Sequence, residues 1–124
     1  MSSEKVSFNI SVVDLGKIEM LVDRGVYTNR TDFITKALVH ELSKNEDVIQ
    51  QFKKDYNWAI GIQVVSKKEI EQCIKDNKKM KIYTLGMLII DKGVTLEEAI
   101  ASIESITVFG KFKASDDIKD YFKS

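Results

Sequence analysis

The run Val6-Ser7-Phe8-Asn9-Ile10-Ser11-Val12 alternates apolar and polar side chains and passes, with no hairpin turn, straight into two segments of helical periodicity. A lone strand cannot satisfy its own ladder of N–H and C=O groups, so one strand ahead of two helices needs a strand from elsewhere. The simplest source is a second copy of the chain. Antiparallel pairing about a two-fold axis puts Val6, Phe8 and Ile10 of both copies over the helices and turns Lys5, Ser7 and Asn9 to the opposite face.

Leu15, Ile18, Leu21 and Val22 then recur at helical spacing, and Asp23-Arg24-Gly25 ends the segment with glycine at the position a helix C-terminus favours. The turn Val26-Tyr27-Thr28-Asn29-Arg30-Thr31-Asp32 offers several N-cap residues. After it, Phe33, Ile34, Ala37, Leu38 and Leu42 form the apolar stripe of a second helix reaching about Ser43. Strand, helix, glycine-containing turn and capped helix occupy about forty residues.

On these features residues 5–43 resemble a ribbon-helix-helix domain of the Arc/MetJ/CopG type. The resemblance is carried by the strand ending at Ile10, by Ile18 and Leu21, by the turn from Arg24 to Thr31, and by Phe33-Ile34 with Ala37-Leu38. It implies an intertwined dimer that inserts a two-stranded ribbon into the major groove of double-stranded DNA. It also implies base-facing roles for Lys5, Ser7 and Asn9. The start of the second helix serves that family as a phosphate clamp, which here falls on Thr28, Asn29 and Arg30.

Charge keeps a second reading open. The chain has no net charge, and residues 1–45 balance Lys5, Lys17, Arg24, Arg30, Lys36 and Lys44 against Glu4, Asp14, Glu19, Asp23, Asp32 and Glu41. Affinity for DNA comes largely from phosphate neutralisation. The expected function is a dimeric, sequence-specific transcriptional regulator, a repressor; the alternative is an assembly or interaction factor that keeps the dimer without engaging DNA.

The expected fold class is α+β, a β-α-α ribbon-helix-helix unit followed by a small α/β unit of order β-α-β-α-β-α. Residues 1–45 form the dimerisation and DNA-binding domain, 46–59 a helical connector with Val48, Ile49, Phe52 and Tyr56 near helical spacing, and 60–124 an effector or assembly domain. In the last part, 60–65, 81–90 and 106–112 read as strands. Ser66-Lys67-Lys68-Glu69 and Thr95-Leu96-Glu97-Glu98 read as capping boxes, and Ser115-Asp116-Asp117 as a cap. Ile82-Tyr83-Thr84-Leu85-Gly86 and Ile106-Thr107-Val108-Phe109-Gly110 echo each other, as parallel neighbours with glycines at close backbone contacts or as turns of a solenoid. Trp58 reads as a core or interface anchor.

A unit of about forty residues can hardly bury a core alone, so a homodimer or a dimer of dimers is expected. The single histidine, His40, and single cysteine, Cys73, argue against a soft metal site and a disulfide framework. The acidic pairs Glu97-Glu98 and Asp116-Asp117 sit where helix starts favour negative charge, and no catalytic set or phosphate loop is present, so no enzyme activity or cofactor is expected. Met1-Ser2-Ser3-Glu4-Lys5 leads directly into the strand with no signal-peptide pattern, no apolar run has the length of a membrane span, and the single cysteine makes a reducing cytoplasm the expected home.

Overall fold

Periods of two and of three to four residues divide this chain into strands and helices. A computed structural model, which describes residues 3–55 and 58–123, realises them in two units, residues 1–52 and 53–124. The chain is α+β, as expected.

In the first unit residues 3–11 carry no ladder within the single chain, and helix α1 begins at Val12. Its start is set by Ser11, whose hydroxyl accepts the Asp14 N–H at 3.1 Å, so the alternating run gives its last two residues to a helix N-terminus. Helix α1 (Val12–Asp23) ends where the glycine signal lies. Gly25 has φ +80°, its N–H reaches the Val22 carbonyl, and the Val26 N–H reaches Leu21, a Schellman closure. Helix α2 (Arg30–Lys44) follows, and helix α3 (Glu46–Asp55) begins after Asn45. Tyr56, the last residue of the expected connector spacing, lies outside the described residues. Ile18 is the one buried residue described in residues 3–52.

The second unit alternates strictly: β1 (Ala59–Val65), α4 (Lys67–Lys75), β2 (Met80–Ile90), α5 (Leu96–Ser102), β3 (Ile103–Lys113) and α6 (Asp116–Phe122). The strands form a parallel sheet of order β1-β2-β3. Alternation sends Val65, Ile82, Leu88 and Ile90 to one face, where Ile70 of α4, Ala99 of α5 and Ile118 of α6 complete the core. All three helices therefore cover the same side of the sheet.

The helix starts are built differently. Thr95 and Glu98 form a full capping box, whereas Ser66 provides one arm of its own, accepting the Glu69 N–H at 3.2 Å. Ser115 makes no side-chain cap; its hydroxyl donates to Asp117 at 2.5 Å, and Asp117 in turn accepts the Ile118 N–H.

The two echoing strands are parallel neighbours with Gly86 opposite Gly110, and β1 adds a third member, since Gly61 is opposite Gly86. All three have positive φ, and a Cβ on Gly86 or Gly110 would overlap the carbonyl oxygen of the glycine on the preceding strand. This close approach is closed to any other residue.

Candidate nucleic-acid interface

Two sets of expected contact residues lie in the first unit, and local hydrogen bonds fix the second of them. In the N-terminal segment Lys5, Ser7 and Asn9 are exposed, as are their alternating partners: Val6 is 78 % and Phe8 65 % exposed, while Ile10 retains 39 %. In a paired strand, alternation would put the polar set and the apolar set on opposite sides. The apolar set thus faces solvent in the single chain.

The second set surrounds the start of α2. Asn29 is the N-cap, with extended backbone, and its Oδ1 accepts the Asp32 N–H at 2.8 Å. Asp32 returns the bond, accepting the Thr28 N–H on Oδ2 at 3.0 Å. This reciprocal pair holds Thr28, Asn29 and Arg30 in a fixed turn around the helix entrance. The first-turn N–H groups of Arg30 and Thr31 occupy positions for which a helix supplies no internal acceptor, so they remain available to an anion.

Electrostatics at that entrance are mixed. Asp32 adds a negative charge in the first turn; the Thr28 N–H, and then Lys36 at 3.2 Å, hold its carboxyl below the usual carboxylate range. Arg30 lies 3.8 Å from Glu19 of α1, both side chains about 60 % exposed, so the guanidinium is shared weakly rather than locked. Sequence patterning nominated the phosphate set but missed the role of Glu19, because α1–α2 proximity is tertiary.

Beside the entrance, Tyr27 and Phe33 meet edge to face at 5.0 Å, and Lys36 lies 5.5 Å from the Tyr27 ring centre. These residues, with Ala37, His40 and Glu41, line a surface concavity of about 630 Å³. His40 and Glu41 are the residues of metal-ligating type in that lining. Among the described residues no group of three or more His, Cys, Asp or Glu is placed to hold a metal ion. None of the described helices is long and apolar enough to cross a membrane.

Trp58, expected as an anchor, is half-buried in the second unit, stacked on Phe109 at 5.6 Å and tilted against Tyr83 at 5.3 Å. It belongs to the face of the sheet away from the helices.

The model of the Ribbon-Helix-Helix transcriptional regulator family matches residues 1–119. No curated protein matches the chain, and no solved structure does.

Proposed function

Because the chain belongs to the ribbon-helix-helix family of transcriptional regulators, we propose that it works as a homodimer that reads double-stranded DNA with a ribbon built from residues 5–10 of two copies. The observation that carries this reading is the near absence of a core in the first unit. Ile18 is the one buried residue described there, while Val6, Phe8, Leu38 and Leu42 are each more than half exposed. Burying a large aliphatic or aromatic side chain contributes roughly 1.5–3 kcal/mol, so leaving these in water is a standing cost that a second copy removes. Pairing the strands also satisfies the backbone groups of residues 5–10.

Pairing leaves Lys5, Ser7 and Asn9 on the outer side of the ribbon. Their chemistry suits the groove edge: lysine for guanine or phosphate, asparagine for the paired donor and acceptor of adenine, serine for either. Thr28, Asn29 and Arg30 meet the flanking phosphates, with Arg30 and the first-turn N–H groups supplying the positive end. By blocking polymerase access at such a site the protein acts as a repressor, inside the cytoplasm and with no enzymatic step. The second unit serves as an effector or assembly module.

A second reading keeps the dimer and drops DNA. The six-to-six charge balance of residues 1–45 favours it, since a neutral domain gains little from phosphate. A fluorescence anisotropy titration decides between the two, using genomic fragments that include the region upstream of the protein's own gene, at two salt concentrations, with Asn9→Ala in parallel. Selective, salt-sensitive binding that Asn9→Ala loses is expected; a folded dimer with no selective binding at low salt overturns the DNA reading.

A further inference from the structure

We propose that the open face of the C-terminal sheet binds single-stranded nucleic acid, with bases on its aromatic side chains and phosphates on its lysines. Parallel sheets normally have both faces covered, yet α4, α5 and α6 all pack on the side of Ile82, Leu88 and Ile90. Alternation puts Lys81 and Tyr83 of β2 on the other side, and the register sets Phe109, Lys111 and Lys113 of β3 there, beside Leu85, Met87 and Ile89. Trp58 reaches across this side to stack on Phe109, the two ring planes 20° apart, and leans against Tyr83. Phe109 is 57 % exposed.

Charge and spacing identify the occupant. The three strands contain one acidic residue, Glu104, which lies at the register shift of β3 and meets Lys81 at 3.8 Å with both side chains more than half exposed. So open a pair is weak, and a phosphate can displace the carboxylate. The β2 neighbours of the exposed Lys111 and Lys113 are Met87 and Ile89. Along the strands the order is therefore one cation, the aromatic rings, then two cations, from the level of Lys81 to that of Lys113, about 26 Å. That order suits an extended chain that alternates anions with flat apolar groups, with room for roughly four nucleotides. An acidic peptide brings the anions without the flat groups. An anionic bilayer would want cations around the exposed aliphatic residues of β1, Ile60 and Ile62, whereas the lysines stand on the two strands that carry Tyr83 and Phe109. The inference concerns the second unit alone and holds whether or not the ribbon reads duplex DNA.

The test uses the full-length chain and an oligothymidylate of about twelve residues, which forms no duplex for a ribbon to enter. Trp58 is the sole tryptophan, so its emission reports on the face directly. Saturable quenching that weakens with salt is expected. Lys111→Glu with Lys113→Glu should lower the affinity at least tenfold and cut the slope of log affinity against log salt by about 1.4, two single-strand phosphate contacts at roughly 0.7 each. Phe109→Ala should cost about tenfold and leave that slope unchanged. Circular dichroism checks both folds, and if Phe109→Ala misfolds, the charge reversal at two exposed lysines still decides. No saturable quenching at low salt overturns the proposal, and emission that shifts on dilution would then place a second copy on the face. A charge-reversal variant that binds like the wild type overturns it as well. So does displacement of the oligothymidylate by an equal charge of polyglutamate, or a Trp58 response to phosphatidylserine vesicles in place of the oligothymidylate. The two nucleic-acid readings fail separately: Asn9→Ala should lose selective duplex binding and keep the quenching, and the lysine pair the reverse. A flat duplex titration beside intact quenching sinks the ribbon reading alone.

Discussion

The hydroxyl of Thr84 donates to Oε1 of Gln63 at 2.6 Å, joining β2 to β1 diagonally across the row of glycines that runs through the sheet. Thr84 is fully buried, and Gly61 and Gly86 lie between the two partners on their respective strands. With no side chain at either glycine, the Gln63 amide has room to reach back. A buried polar group is thereby satisfied inside an aliphatic core.

Thr84→Val is expected to lower stability by about 1 kcal/mol, because it removes the donor while the half-buried Gln63 amide stays. Combined with Gln63→Leu, the cost should fall short of the sum of the single costs. Urea denaturation of the four members of a double-mutant cycle measures the coupling. Strict additivity would mean the bond contributes nothing.

The glycine row makes a ranked prediction. At Gly86 and Gly110 a methyl group meets the neighbouring backbone as well as an unfavourable positive φ, so alanine at either should cost about 3 kcal/mol or more. At Gly61 nothing lies within 4 Å of the added atom, and the backbone penalty alone, about 1–2 kcal/mol, is expected. Thermal unfolding of the three alanine variants checks the order, which equal losses would contradict.

Two carboxylates set an acid limit on stability. The Thr28 N–H and then Lys36 hold Asp32 low, and the Thr95 N–H followed by Lys67 does the same for Glu98. A carboxyl whose folded-state pKa is depressed contributes its full stability above the unfolded value, roughly pH 4, and loses it as pH falls through the lower folded value. Stability should be flat with respect to these groups from pH 7 to about 5 and decline below about 4. Asp32→Asn with Glu98→Gln should flatten part of that decline in urea midpoints taken across the range.

Arg30 and Glu19 provide a test of the phosphate clamp. Their exposed 3.8 Å pairing competes with phosphate for one guanidinium. Glu19→Gln should tighten DNA binding about two- to fivefold, the size of an exposed ion pair, without altering sequence preference. Arg30→Ala should weaken binding to all sequences alike and reduce the salt slope by about one. A change in sequence preference from either would place Arg30 on the bases instead.

Helix and strand positions were legible because they follow from local rules. Val12–Asp23 and Arg30–Lys44 track apolar periodicity, Gly25 ends the first helix through a conformation few other residues adopt, and Thr95-Leu96-Glu97-Glu98 caps α5 in both directions. The exact limits were less legible. Ser11 looks like strand in the alternating run and acts as a helix cap, since one hydroxyl beside a free N–H outweighs two residues of alternation. Ser115 looks like a cap and instead bonds Asp117.

By itself, then, the sequence determined the α+β class, the ribbon-helix-helix family and the order of the C-terminal elements, all of which depend on residue type and short-range spacing. Tertiary structure decided what depends on distant segments meeting. It brought Gly61 into line with Gly86 and Gly110, linked Thr84 to Gln63, set Glu19 beside Arg30, and placed three helices on one face of a parallel sheet, with Trp58, Tyr83 and Phe109 on the other. Register and layer choice minimise exposed area and unsatisfied polar groups over the whole unit, and no window of neighbouring residues contains that sum.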